Sequence, residues 1–97
     1  MESTKHKQIA NYLAKKFKTD YHGDKGIDLR TPNRVIEIEV KKNALPQGIE
    51  QLENSKKARY LAVTKSLIKE AQKAAKGTGI GIMNEKGKIL KIGKGKK

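Results

Sequence analysis

The chain contains no cysteine and no tryptophan, and only two histidines. Disulfides and thiolate metal sites are therefore excluded, and two imidazoles are too few for a structural zinc cluster. Aromatic residues make up 4% of the sequence, one Phe and three Tyr, and they are not clustered. That composition argues against a base-stacking platform of the single-strand or RNA-binding kinds. No apolar run approaches the roughly 18 residues of a membrane span. The first residues carry no apolar stretch of the signal-peptide kind, so a soluble cytoplasmic protein with no membrane partner is expected. Acidic residues are also scarce, 10 against 23 Lys and Arg.

What remains is a small, strongly basic chain. Its 97 residues suit one domain, expected over residues 1–92, with 93–97 as a flexible basic tail. Apolar residues reach 35%, enough to close a small core. The net charge of +13 concentrates polyanions around the molecule, which makes nucleic acid the expected partner. Only Arg30, Arg34 and Arg59 are arginines. A Lys-dominated charge suits backbone phosphate better than bidentate reading of guanine edges. The competing explanation of the charge is a solubilising Lys surface with no specific partner.

Apolar spacing at Ile9, Ala10, Leu13, Ala14 and Phe17 predicts an amphipathic helix over residues 3–18. A loop rich in Asp and Gly follows, with a short strand around Tyr21. Alternation then resumes at Ile27, and Thr31-Pro32-Asn33 has turn chemistry. Residues 35–42 alternate strictly, with Ile36, Ile38 and Val40 on one face and Glu37, Glu39 and Lys41 on the other. A short helix over 47–56, a central strand over 59–64, a helix over 66–76 and a closing hairpin over 78–92 complete the chain. The fold expected is α/β, a central mixed sheet flanked by helices in the order α-β-β-β-α-β-α-β-β.

The hairpin around Pro32-Asn33 can be placed in register. With those two residues as the loop, Ile27 faces Ile38 and Leu29 faces Ile36, which buries four apolar side chains together. The same register sets Asp28 opposite Glu37, with Glu39 diagonally adjacent at roughly 7–8 Å and Lys41 next along the strand. Carboxylates opposed on a sheet repel, so the face calls for a cation. Lys41 is one, and a hard divalent metal that takes one or two carboxylates plus phosphate and water oxygens is a better one. The competing picture is a solvated polar strand face, salt-bridged to surrounding lysines.

This pattern resembles the PD-(D/E)xK phosphodiesterase superfamily, on Gly26-Ile27-Asp28 and Ile38-Glu39-Val40-Lys41, and within it the small archaeal Holliday junction resolvases and related nucleases. The resemblance runs from about residue 3 to residue 92. It implies a restriction-endonuclease-like fold and a Mg²⁺ (or Mn²⁺) ion held by Asp28, Glu39 and the carbonyl of Val40. It also implies that Lys41 acts on the attacking water and that Gln51, or Gln47 one turn earlier, supports the site. Glu37 becomes a further metal ligand or a support for one. Relatives often carry a Glu on the first helix, where this chain has His6, Lys7 and Gln8.

The activity expected is a metal-dependent DNA endonuclease, structure-selective rather than sequence-selective, with Lys25, Arg30, Arg34 and Lys42 lining the DNA path. A homodimer would suit the cutting of both strands of a junction. The alternative is a non-catalytic DNA- or RNA-binding protein. Two lesser candidates stand beside the site. His22 lies in the loop before Asp28, where a solvated His is the commoner case. The glycines at 77, 79 and 81 follow a helix and enter a strand, the reverse of a phosphate-cradling loop.

Overall fold

The computed structural model describes residues 4–21 and 27–96. Helix α1 (Thr4–Lys16) is followed by β1 (Leu29–Arg30), β2 (Arg34–Glu39), α2 (Leu45–Leu52), β3 (Ala58–Val63), α3 (Ile68–Ala75), β4 (Gly81–Asn84) and β5 (Ile89–Lys91). Short 3₁₀ turns at Lys42–Ala44 and Lys65–Leu67 lead into α2 and α3. The five strands form one mixed sheet in the order β1-β2-β3-β4-β5, parallel at β2-β3 and β3-β4 and antiparallel at both edges. This is an α/β architecture. The short strand expected at Tyr21 is reduced to an isolated antiparallel bridge with Leu29.

Side-chain alternation divides the core into two layers. On one face, Leu29, Ile36, Ile38, Tyr60, Ala62 and Met83 meet the apolar stripe of α1, Ile9, Ala10, Leu13 and Ala14. On the other, Val35, Leu61, Val63, Ile80 and Ile82 meet Leu45 and Leu52 of α2 and Ala71 and Ala75 of α3. A strand covered on both faces needs a continuous apolar run rather than an alternating one, and β3, with Tyr60 to Val63 buried, has it at the centre of the sheet. Helix α2 begins earlier than the periodicity suggests. Pro46 sits in its first turn, where the missing N–H costs nothing, so the proline opens the helix instead of preceding it.

The hairpin keeps the expected loop. Leu29 pairs with Ile36 and Arg30 with Val35, and Thr31 N–H reaches Arg34 O at 2.9 Å across Pro32-Asn33. One expected pair fails. β1 starts only at Leu29, behind a bend at Asp28, so Ile27 does not meet Ile38 and packs instead in the other layer with Val35 and Leu45.

The C-terminal segment differs from a flexible tail over its described part. Lys94 N–H donates to Gly79 O (2.7 Å) and Lys96 N–H to Ser55 O (2.8 Å). Any Cβ at Gly93 or Gly95 would collide with the carbonyl oxygens of Arg59 and Lys56, so only glycine lets the segment lie this close to the start of β3. Among the described residues no helix is long and apolar enough to cross a membrane.

Candidate functional site

The bend that displaces Ile27 also builds the site. Continuing the ladder would leave Ile38 N–H to the backbone opposite, but the Asp28 carboxylate takes it through Oδ2 at 3.0 Å. Asp28 thereby lies at the sheet edge beside Glu37, two strand positions from Glu39, as the hairpin register requires. Both Asp28 and Glu37 are only 5% exposed. Glu39, at the end of β2, is half-buried against α2. The contact there is with Gly48, where an added Cβ would stand 2.5 Å from Glu39 Oε2. Glycine in a helix interior weakens it by about 1 kcal/mol relative to Ala, so this one marks a place where a carboxylate needs the room.

The electrostatics follow from burial and crowding. Burial pushes Glu37 up to about 10, with further contributions from its hydrogen-bonding contact with Asp28 and from the Asp28 and Glu39 charges. Glu37 is thus protonated at neutral pH. Burial by itself would raise Asp28 as well. The His6 ring, the Glu37 proton and the Ile38 N–H outweigh it and hold Asp28 below the ordinary carboxylate value. Burial and the Asp28 charge raise Glu39 to about 7. One proton shared between two close carboxyl groups is the usual outcome when both cannot ionise.

No lysine or arginine among the described residues pairs with these carboxyl groups. Among the described residues the ion pairs of Asp28, Glu37 and Glu39 reduce to one, His6 Nε2 to Asp28 Oδ2 at 3.2 Å. Glu37 Oε2 is buried with no hydrogen-bond partner. A solvated face neutralised by surrounding lysines does not describe this geometry. Among the described residues no group of three or more His, Cys, Asp or Glu is arranged to hold a metal ion. A hard cation that draws on two carboxylates and completes its shell from carbonyl, water and phosphate oxygens still fits. The donor set is all oxygen at Asp28, Glu37 and Glu39, and the orphaned Glu37 Oε2 is an acceptor awaiting a partner.

The other expected residues are placed less uniformly. Val40 is half-buried and packs toward the α1 layer, immediately after Glu39. Lys41 is exposed and extended (φ −129°, ψ 140°) ahead of the 3₁₀ turn, with no ion pair to the carboxylates. Gln51 and Gln47 line one open hollow on the outer side of α2. Gln51 is three residues from Gly48, so it borders the helix face that meets Glu39 without a hydrogen bond to it. Lys42 is exposed beside Lys41, and Arg30 is exposed at the end of β1.

Arg34 does not line the acidic face. It starts β2 on the α1 side, its guanidinium over the rings of Phe17 (5.8 Å) and Tyr60 (5.5 Å), because residues 34, 36 and 38 share the face opposite Glu37 and Glu39. Lys25 and His22 lie outside the described residues.

Three contributors were not legible as site residues in the sequence. His6 stands where the resembled superfamily often has a glutamate, Tyr21 supports it, and Gly48 clears space for Glu39. The available signal was a glycine inside a short amphipathic helix. A comparison with family models, curated proteins and solved structures finds no match to this chain.

Proposed function

We propose that this chain is a metal-dependent DNA endonuclease with a restriction-endonuclease-like fold, a member of the PD-(D/E)xK superfamily that hydrolyses phosphodiester bonds. The observation that carries the reading is the trio of buried Asp28 and Glu37 and half-buried Glu39. Among the described residues no Lys or Arg pairs with it, in a chain of net charge +13, and one of its oxygens has no hydrogen-bond partner. Burying carboxylates without cationic partners is costly, and a fold keeps such groups where a ligand or a reaction uses them.

A bound Mg²⁺ or Mn²⁺ would supply a Lewis acid at the scissile phosphate and a more acidic water. Asp28, Glu39 and the Val40 carbonyl would hold it, with Glu37 supporting Asp28 through their hydrogen-bonding contact. Lys41, free of ion pairs just past the end of β2, would meet the charge that develops on the phosphate. Lys42 and Arg30, both exposed, would take backbone phosphates on either side. A Lys-rich, Arg-poor surface supports preference for DNA shape over sequence.

The deciding experiment is cleavage of linear, flapped and four-way-junction DNA with Mn²⁺ and with EDTA, alongside calorimetric titration of Mn²⁺ into the protein. Cleavage and metal binding that both vanish in Asp28→Asn support the reading. DNA binding that is indifferent to divalent metal, with no cleavage of any substrate, would establish the non-catalytic alternative.

A further inference from the structure

The N-terminal turn of α1 brings His6 to the sheet edge, where its side chain is 12% exposed. Its Nε2 lies 3.2 Å from Asp28 Oδ2, and its Nδ1 lies 3.2 Å from the Tyr21 hydroxyl. The two rings are 6.0 Å apart and tilted by 45°. His6 thus joins the Tyr21 hydroxyl at Nδ1 to Asp28 at Nε2, and an Nε2–H can donate to the carboxylate. Two donors, His6 Nε2–H and Ile38 N–H, therefore fall on Oδ2 of the same carboxylate, from the two sides of the hairpin edge.

We infer that His6, oriented by Tyr21, is a positioning residue that fixes the orientation of the Asp28 carboxylate for cation binding. The inference rests on the nuclease reading above. Its physical basis is that a carboxylate on a bend, at the first residue before a two-residue strand, has no ladder to fix its χ angles. Ile38 N–H and Glu37 both reach Asp28 from β2, and His6 adds a hold from a separate element, α1, which restrains the carboxylate against turning about that strand. Hydrogen bonds to a metal-binding carboxylate from beyond the ligand shell are worth about 10–100-fold in metal affinity or activity. Tyr21 fits as the fixing group, because its bridge to Leu29 ties the backbone behind it to the same hairpin.

The test compares wild type, His6→Ala, His6→Gln and Tyr21→Phe, each checked for folding by circular dichroism. Mn²⁺ affinity is read by electron paramagnetic resonance, and kcat and KM are read on the DNA substrate that wild type cleaves best. His6→Ala should lose about 10–100-fold in Mn²⁺ affinity and in kcat, with KM for DNA little changed. His6→Gln, whose amide N–H can reach the position of Nε2–H, should recover most of the loss, and Tyr21→Phe should fall between wild type and His6→Ala. A His6→Gln protein as impaired as His6→Ala would overturn the inference and make His6 a direct ligand. Wild-type values in His6→Ala would overturn it as well. A wild-type protein that neither binds Mn²⁺ nor cleaves DNA would remove the nuclease reading itself, and the inference with it.

Discussion

Among the described residues, buried ionisable groups gather in two places, which the fold treats in opposite ways. Arg59, 6% exposed at the start of β3, is caged by carbonyl oxygens. Its Nε donates to Lys94 O (2.8 Å), and its two terminal nitrogens donate to Glu53 O (3.1 Å) and Thr78 O (2.8 Å). Each nitrogen has an acceptor, and the guanidinium ties together the end of α2, the loop after α3 and the C-terminal segment. At the other end of the neighbouring strand, Asp28, Glu37 and Glu39 are crowded with no lysine or arginine paired to them among the described residues, His6 alone reaching Asp28, and one carboxyl oxygen has no hydrogen-bond partner there. A saturated buried charge holds a fold together, whereas an unsaturated one is kept at a cost in stability for what it can bind. The contrast separates a structural centre from a candidate site without reference to any relative.

The largest expected effect is on chemistry. Asp28→Asn and Glu39→Gln should each lower cleavage by roughly a thousandfold or more, several kcal/mol of transition-state stabilisation, while melting temperature changes little. Gel-based cleavage rates with matched thermal melts check this. Full activity in both variants would erase the distinction between the two centres.

Arg59→Ala should do the reverse. Removing the guanidinium strands three carbonyls and should cost about 3 kcal/mol. For a domain this size that is on the order of 15 °C in Tm. Cleavage measured well below the melt should be unchanged. A large loss of activity in folded Arg59→Ala would show that the cage is not merely structural.

Gly48→Ala sharpens the comparison on a smaller scale. A methyl group in an exposed helix normally adds up to about 1 kcal/mol of stability. Here it would push Glu39 away from its present position. Stability should hold or rise while Mn²⁺ affinity and cleavage fall roughly tenfold, a change of about 1.4 kcal/mol. Calorimetry and cleavage on the same preparation test the pairing of those two signs.

The last expected effect concerns pH. Glu37 keeps its proton up to about 10 in the folded chain, but gives it up near the ordinary 4.5 when unfolded. Between those values the folded state binds more protons than the unfolded one, so its contribution to stability declines as pH rises through that window. In EDTA, Glu37→Gln should remove this contribution, giving a melting temperature above wild type at pH 8 and a gap that narrows toward pH 5. Parallel melts across that range measure the slope, and a gap that widens toward pH 5 would contradict the assignment of the shared proton.

Much of the scaffold was legible because it is written in local periodicity. The spacing of Ile9, Leu13 and Ala14 gave α1 its buried stripe, and Thr31-Pro32-Asn33 set the loop that aligns Leu29 with Ile36. The alternation of β2 placed Glu37 and Glu39 on a common face, and the apolar run at Tyr60 to Val63 marked the strand covered on both sides. These depend on residues close in sequence and on a period of two or 3.6, which a single chain displays openly.

The same register that aligned Asp28 with Glu37 could not foresee the bend before β1, which sends Ile27 into the opposite layer and turns the Asp28 carboxylate onto Ile38 N–H. Nor could it foresee that α2 would close over Glu39 through Gly48, that His6 would arrive from another element, that Arg34 would stack on Phe17 and Tyr60, or that Gly93 and Gly95 would let the C-terminal segment dock. Composition and alternation determined which residues could share a face. Only the tertiary packing decided how deeply that face was buried and which groups met there. Desolvation, proton sharing and the second donor to a carboxylate all depend on atoms brought together across the fold, and no local period encodes them.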